Sequence, residues 1–383
     1  MIDRATLTLL VAGADPAISI YLPIDPEQRD LRRAEARLGE LVGQARDALD
    51  RRGLERSQAD AMLAPAAAAE LGQDFARHRQ HGLAFFLGPA KSHVLALPEM
   101  LPETVCVGQN FALRPLLPML ARQRPFHILA LSAGHSRLLD ATAFTWSERK
   151  GVLPESVHDV EAESELQRNV QYNPPARPRA ASPAPVAAAH ATESAEDVRK
   201  AELLEHLHRV AAALAGELGD DPAPVVLAAE PQVAGHFRKL GQIPQIYEET
   251  LGINPHALAD RDLHRKAVEL VRPWLDSEVE GVLDQVNARL GTAEPTVAIR
   301  LEEILSAAYD GRVDAVIVAA DEALWGHYDH DARAVHAKGG QNGAGEDLLN
   351  EAAVVALRKG GRAFALPKDR LPRRSPAVAI LRY

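Results

Sequence analysis

Short apolar runs separated by turn residues alternate with longer amphipathic stretches along most of the chain. In the N-terminal third, the runs AISIYLPI, GLAFFLG, SHVLALP and ETVCVG predict the strands of a small sheet. Helices are predicted at ATLTLLVAG and PAAAAELGQDFARHRQ, and a connector at FALRPLLPMLARQRP. A long helix is predicted from Gln28 to Gly53, because apolar residues recur on one helical face at Leu31, Ala34, Leu38, Leu41, Ala45 and Leu49.

The pattern changes in the middle of the chain. Strands are predicted at FHILALS, SRLLDATAF and TWSER, after which residues 173–195 are rich in proline and alanine and show no apolar periodicity. Such a segment buries too little apolar surface to offset its ordering entropy, which predicts mobile or extended chain. A helix is predicted from Glu196, with Ser194 as its N-cap and Gly219 at its end.

Strands and helices alternate over the rest of the chain. A strand is predicted at PVVLAAE, a helix beginning at Pro231, and a long helix from Asp260 to Leu290 with a kink at Pro273. The C-terminal part predicts a helix at IRLEEILSAAY, a strand at VDAVIVAA, a helix at EDLLNEAAVVALRKGG and strands at RAFALP and AVAILRY. We therefore predict an α/β protein with parallel or mixed sheets and three domains, at 1–124, 125–290 and 291–383.

Charge and cysteine content narrow the class of protein. A formal net charge of -10 argues against a whole-molecule binder of polyanions such as DNA, although local basic faces stay possible. Cys106 is the only cysteine, so no intrachain disulfide can form, and inside TVCVG a buried hydrophobe is favoured over a nucleophile. No secretory signal pattern and no apolar span of about 18 residues is found, which predicts a cytoplasmic protein without a membrane partner.

Two strings contain residue types that bind phosphates or metals. The glycines of KGGQNGAG, residues 338–345, suit an anion, but Glu346 and Asp347 follow where a Walker motif has Lys and Ser or Thr, so a flexible loop is favoured. The cluster from His327 to His336 carries His and Asp at close spacing, and a hairpin turn is favoured over a metal site.

Three further polar residues could serve as catalytic groups. Ser136 in GHSRL lacks the second glycine of a nucleophile elbow. His206 and His208 are two residues apart on one predicted helix, so they point apart, and both are interpreted as exposed. No catalytic residue, metal site or cofactor is predicted.

Basic residues concentrate near the C-terminus, where residues 358–382 contain eight Lys and Arg against Asp369 alone. Such an asymmetry in an acidic protein suits a phosphate backbone, and an ordinary solvated surface is the alternative. At the first turns of the Gln28 helix the solvated surface is favoured. The candidate RNA-contacting residues are Arg29, Arg32, Arg33, Arg168, Arg177, Arg179, Arg358, Lys359, Arg362, Arg370, Arg373 and Arg374.

Eight sequence segments, spread over nearly the whole chain, follow one another in an order that is found in a known protein family. They are SIYLPI, GLAFFLGP, FALRPLLPML, FHILALSAGHSRLLD, RDLHRKAVELVRPW, LEEILSAAYDGRVDAVIVAADEALWG, EDLLNEAAVVALRKGG and AVAILRY. With these the chain resembles the bacterial homologues of the archaeo-eukaryotic class-1 release factors, most closely the third bacterial family, and is related to Pelota. The resemblance implies an N-terminal domain, a middle domain with a ribonuclease-H-like sheet, and a C-terminal domain similar to kink-turn-binding proteins.

The resemblance also implies binding at the ribosomal A site. The ribosome and ribosomal RNA would be the partners, with a translational GTPase as a further candidate. Release factors carry a Gly-Gly-Gln loop in the middle domain that positions water against the peptidyl-tRNA ester. The matching segment up to Glu196 contains no such tripeptide, and Gly339-Gly340-Gln341 lies in the C-terminal part, so the catalytic role does not transfer to it.

The leading hypothesis is therefore a factor that acts by binding, in ribosome rescue, quality control or hibernation. One alternative is a peptidyl-tRNA hydrolase that uses Gln171 or Gln341. The other is a metal-dependent nuclease, which would need Asp140, Glu148 and Glu230 to come together.

Overall fold

The computed structural model describes residues 4–24, 31–69, 81–154, 195–292, 296–337 and 345–383. The chain divides into two compact units. The discontinuous unit combines Met1–Ala121 with Asp276–Tyr383, and the central unit is Arg122–Leu275. None of the helices in the described ranges is long and apolar enough to cross a membrane.

The N-terminal part of the discontinuous unit contains an antiparallel sheet with the strand order β3-β2-β1-β4. Its strands are β1 (Ala17–Pro23), β2 (Gly82–Leu87), β3 (Ser92–Leu97) and β4 (Thr104–Gly108). The helices are α1 (Arg4–Ala12), α2 (Leu31–Arg51) and α3 (Arg56–Ala67). On α2, the predicted apolar face is buried at Leu38, Leu41, Ala45 and Leu49. These side chains pack with α3 and with one face of β1 and β2, which confirms both the small sheet and the long amphipathic helix.

The C-terminal part of the discontinuous unit contains two more sheets. A four-stranded sheet has the order β10-β16-β11-β15, parallel only between β11 and β15, and a three-stranded antiparallel sheet has the order β13-β12-β14. The elements are α4 (Leu117–Ala121), β10 (Val297–Ala298), α8 (Leu301–Tyr309), β11 (Val313–Ala319), β12 (Trp325–Asp329), β13 (Ala334–Ala337), β14 (Glu346–Asp347), α9 (Leu348–Arg358), β15 (Arg362–Leu366) and β16 (Ala377–Leu381). Because α9 is apolar nearly all round, it is buried from Leu348 to Ala356.

A buried amide joins the two parts of the discontinuous unit. Asn350 Oδ1 on α9 accepts hydrogen bonds from the main-chain N–H groups of Leu113 (2.8 Å) and Arg114 (3.0 Å), and Asn350 Nδ2 donates to the carbonyl of Phe111 (2.9 Å). Beside it, Arg114 Nε donates to Asp347 Oδ2 at 2.8 Å. The main chain that follows β4 therefore finds its hydrogen-bond partners on α9, more than 230 positions later in the sequence.

The central unit is a five-stranded mixed sheet with helices on both faces. Its strands are β5 (Phe126–Leu131), β6 (Ser136–Ala141), β7 (Trp146–Glu148), β8 (Val225–Ala228) and β9 (Ile246–Leu251), in the order β7-β6-β5-β8-β9. The first three strands run antiparallel, whereas β5, β8 and β9 run parallel. The helices are α5 (Ala195–Leu218), α6 (Pro231–Leu240) and α7 (Asp260–Gly291), and the boundary between the units falls within α7.

Alternation along β5 explains how both faces of this sheet are covered. Leu129 and Leu131 pack with α5 and α6, whereas Phe126, Ile128 and Ala130 pack with α7. The predicted mixed α/β sheet and its first three strands are confirmed.

The structure departs from the predicted pattern at α3 and β9, neither of which is predicted as an element. The predicted PAAAAELGQDFARHRQ helix overlaps only the last turn of α3, and its residues 70–80 lie outside the described residues. The same holds for the start of the Gln28 helix, for Ser194, and for all but the last residue of the Pro/Ala-rich segment. Helix α7 runs on through Pro273, at which the sequence predicts a kink.

Candidate functional site

The carboxyl ends of the parallel strands of the central unit form an edge from which segment 155–194 departs. A tight turn joins β5 to β6, with Ser132 N–H donating to the carbonyl of His135 at 2.9 Å. At the start of β6, Ser136 Oγ donates to the carbonyl of Pro154 at 2.6 Å, and Pro154 is the last described residue before the segment. Ser136 therefore anchors the chain at this edge. Carboxyl edges of this kind are where α/β proteins commonly place their ligand sites.

Histidines from three elements lie at this edge. The rings of His135 and His256 are 5.4 Å apart between centroids, at 64°. His206 on α5 is 0% exposed, and neither of its ring nitrogens has a hydrogen-bond partner among the described residues. Burial lowers the pKa of His206, and the nearby His135 and Arg209 lower it further. The prediction that His206 is exposed is wrong, because α5 turns this residue and the neighbouring Leu207 inward, where both are 0% exposed; His208 is exposed, as predicted.

The remaining groups of this edge are His256, with the capped turn that carries it, and an ion pair. Burial lowers the pKa of His256, and Arg137 and His135 contribute in the same direction. Arg137 donates to Asp260 at 3.0 Å, while its Nε is buried and has no hydrogen-bond partner in the part of the chain that the structure describes. Asn254 Oδ1 accepts from the N–H of His256 at 3.0 Å and so caps the short helix that carries this histidine. Neutral imidazoles can donate and accept hydrogen bonds, so the edge suits a polar ligand group.

The opposite end of the sheet holds Asp140, one of the three carboxylates of the nuclease alternative. Asp140 is paired with Arg149 at 2.7 Å and with the Nδ1 of His127 at 2.9 Å. Cross-strand pairing sets Asp140 opposite Ser147 and Glu148 opposite Leu139, so the two carboxylates point to opposite faces of the sheet.

Metal binding has no support in the part of the chain that the structure describes. No three His, Cys, Asp or Glu side chains there are placed to hold a metal ion. All three nuclease candidates are described, so the metal centre that this alternative needs is not formed by them.

The histidine-rich string in the C-terminal part forms the hairpin that its sequence predicts. β12 and β13 pair so that His327 lies opposite His336. Asp329 Oδ1 closes the turn by accepting from the N–H groups of Asp331 and Ala332, each at 2.9 Å. These two bonds are the main cause of the lowered pKa of Asp329.

Cys106 on β4 is not an activated nucleophile. Burial raises the pKa of its thiol to about 12, and the carboxylate of Asp347 contributes in the same direction. The thiol therefore stays protonated at neutral pH, which fits a small hydrophobe rather than a nucleophile, but the side chain is half-buried and not fully buried as predicted.

Three of the predicted RNA-contacting residues have partners inside the discontinuous unit. Arg362 donates to Asp314 at 2.8 Å and Arg370 donates to Glu280 at 2.7 Å. Arg358 Nε donates to a main-chain carbonyl of α1 at 2.9 Å. Two of the eight basic residues near the C-terminus, Arg362 and Arg370, are therefore paired with acidic residues of β11 and α7.

Other predicted basic residues are exposed. Arg32 and Arg33 lie on the first turn of α2, and Lys359 follows α9. Arg373 and Arg374 precede β16 with left-handed backbone, at φ 55° and 51°. Within the described ranges Arg32, Lys359, Arg373 and Arg374 form no ion pair. The polar and loop residues of interest that lie outside the described ranges are Arg29, Gln167, Arg168, Gln171, Tyr172, Arg177, Arg179, Gly339, Gly340 and Gln341.

The fold is that of an α/β protein with more than one compact unit. Its described residues form surfaces and hydrogen-bonding groups that suit binding. Residues 125–312, just under half of the chain, match bacterial archaeo-eukaryotic release factor family 3. The match begins one residue before β5 and ends just before β11. It confirms, for this segment, the resemblance to the third bacterial family of release-factor homologues.

The similar solved structures are release factors and Pelota-type proteins. A crystal structure of the archaeal translation termination factor aRF1 is 13% identical and covers 100% of this chain and 99% of its own, with a TM-score of 0.22. Dom34 of S. cerevisiae, a translation termination-like factor, is 12% identical and covers 77% and 74%, with a TM-score of 0.35. Archaeoglobus fulgidus Pelota is 13% identical and covers 79% and 79%, with a TM-score of 0.32. At these TM-scores the superpositions carry no argument about function. No curated protein matches the sequence.

Proposed function

We propose that the protein is a ribosome-associated translation factor that binds the A site and acts in ribosome rescue, quality control or hibernation. The observation that supports it is the family match over 125–312, combined with a sequence that contains no glycine between residues 152 and 194. Release-factor catalysis would need a Gly-Gly-Gln loop in this segment. The protein therefore acts by occupying its site, without hydrolysing peptidyl-tRNA.

The finer architecture belongs to the same proposal. The order β7-β6-β5-β8-β9, with three antiparallel strands followed by two parallel ones, supports a ribonuclease-H-like middle domain at 125–290. The mixed sheet with α8 and α9 supports a kink-turn-binding-protein-like domain at 291–383. An N-terminal domain at 1–124 completes the three, and it shares a compact unit with the C-terminal one.

Ribosomal RNA is the proposed partner of the exposed cations, in the cytoplasm, and a translational GTPase is the candidate delivery factor. Arg32, Lys359, Arg373 and Arg374 suit phosphates directly, because no carboxylate in the described ranges neutralises them. Arg358, Arg362 and Arg370 would have to exchange their present partners. The proposed set also includes Arg29, Arg33, Arg168, Arg177 and Arg179.

Sedimentation through sucrose gradients tests this function. Lysates of growing and of stressed cells are fractionated, and we expect the full-length protein with ribosomal particles in at least one condition. Recovery only in ribosome-free fractions under both conditions would contradict the proposal.

A peptide-release assay on ribosomes that hold peptidyl-tRNA separates the binding factor from a hydrolase. No release is expected from the wild-type protein. Release that disappears in Gln341→Ala or in Gln171→Ala would instead establish the enzymatic alternative.

A further inference from the structure

Trp146 is an exposed aromatic residue on an edge strand of the central sheet. Its side chain lies on β7 and is 38% exposed. The indole is stacked on the ring of His264, with 4.7 Å between centroids and 28° between planes. His264 is buried on α7, and its Nε2 is within hydrogen-bond distance of the carbonyl of Thr142 at 2.8 Å. The indole therefore rests on a fixed support while part of it faces solvent.

A row of arginines on α7 continues from this support. Arg261, Arg265 and Arg272 are all exposed. Residues three, four and seven apart share a helical face, so Arg261 lies beside His264, and Arg265 and Arg272 extend the row. The first and last members are eleven residues apart, which places them about 16 Å apart along the helix axis.

Two members of this arginine row have no acidic partner among the described residues. Arg265 is paired with Asp262 at 2.9 Å. Arg261 and Arg272 form no ion pair within the described ranges. Two cations without an ion pair among the described residues therefore lie on the helix that supports the exposed indole.

Polar surroundings distinguish this surface from an apolar docking face. Ser147 and Glu148, which follow Trp146 on β7, are exposed and polar. An aromatic ring beside a row of cations is the combination by which proteins bind single-stranded nucleic acid, because every base offers a face for stacking and every linkage a phosphate.

We propose that Trp146 and the arginine row form a contact site for single-stranded RNA. One base stacks on Trp146, and phosphates lie against Arg261 and Arg272. The inference rests on the proposed function, since an unpaired stretch of ribosomal RNA is the natural source of such a strand. The site shares no residue with the basic residues predicted from the sequence.

Fluorescence anisotropy of the full-length protein with a labelled oligouridine of about 12 nucleotides tests the site. Trp146→Ala should weaken binding about fivefold or more, which corresponds to the lower limit for loss of one stacked base. Trp146→Phe should retain most of the affinity. Arg261→Gln and Arg272→Gln should each reduce the slope of log affinity against log salt by about 0.7.

Lys266→Gln is the matched control. Lys266 is exposed on the same helix, is turned about 200° from His264 and forms no ion pair in the described ranges, so its replacement should change affinity little. Equal losses in Lys266→Gln and Arg261→Gln, unchanged binding by Trp146→Ala, or no preference of the wild type for oligouridine over duplex RNA would each overturn the inference.

Sedimentation with ribosomes, run in parallel, separates the proposed RNA site from the proposed ribosome-associated function. Wild-type protein that sediments with ribosomes but does not bind oligouridine would overturn the RNA site and leave the ribosome-associated function intact. Protein that does neither would contradict both.

Discussion

Replacing His206 by leucine should stabilise the central unit. The imidazole is 0% exposed, and within the described ranges both ring nitrogens lack hydrogen-bond partners. A buried polar group left unpaired costs about 1 to 3 kcal/mol, whereas an apolar side chain of similar size does not carry this cost. We therefore expect His206→Leu to raise the free energy of unfolding by about 1 kcal/mol or more at pH 7.5.

The same substitution should weaken the acid sensitivity of the unit. The pKa of His206 is lowered in the folded state from its ordinary value of 6.5, so the unfolded chain binds a proton that the folded protein does not bind. Stability is thus complete above about pH 6.5 and falls as the pH drops below it. The loss grows as the pH falls from 6.5 toward the lowered pKa of the folded state, by at most about 1.4 kcal/mol per pH unit. His206→Leu removes this pH-dependent part of the stability. The pH-dependent part that comes from His264 remains, because burial lowers the pKa of His264 as well.

Urea unfolding at pH 7.5 and 5.5 measures both effects. A Trp325→Phe background leaves Trp146 and Trp274, which both lie in the central unit, as the fluorescent reporters. His208→Leu is the control, because His208 is exposed on the same helix. A His206→Leu variant that is less stable than wild type at pH 7.5, and whose stability depends on pH as in the wild type, would refute this prediction.

Two predictions concern the discontinuous unit and can be measured by urea unfolding with Trp325 as the reporter. Asn350→Ala should destabilise it by about 2 to 4 kcal/mol, because three main-chain groups of residues 111–114, two of them buried and one partly buried, lose their partner; a loss below about 1 kcal/mol would contradict this. Gly326→Ala should cost about 1 to 3 kcal/mol, because the new Cβ would lie 2.6 Å from a main-chain carbonyl of β13. Its control is Gly216→Ala in the α5 helix of the central unit, where nothing lies within 4 Å and a neutral or stabilising effect is expected, read from Trp146 and Trp274.

The sequence predicts best those elements whose signals are local. The apolar runs of β1 to β6 and of β8 and the periodic face of α2 are such signals, and the structure confirms these elements. Strand β9 has no comparable signal, because IYEETL lies at the edge of the sheet with Glu248 and Glu249 exposed. Helix α3 contains Pro65, which argues against a helix in the sequence although the structure accommodates it.

Contacts between distant parts of the chain explain the remaining differences. His206 is adjacent to the buried Leu207 and one turn before the buried Val210, which was a signal for burial, and His135, about 70 residues earlier, is close enough to lower its pKa. The basic C-terminal stretch looks uncompensated in sequence, yet Glu280 and Asp314 neutralise Arg370 and Arg362 once the chain is folded. Partners so far away cannot be assigned from composition or spacing.

Competition with tRNA for purified bacterial ribosomes tests the central claim most directly. We expect the full-length protein to sediment with ribosomes whose A site is empty and to be excluded when a tRNA fills that site. We also expect Gln341→Ala to bind like the wild type, since Gly339-Gly340-Gln341 is assigned no catalytic role. Equal binding to empty and filled ribosomes, or no binding to either, would contradict the claim.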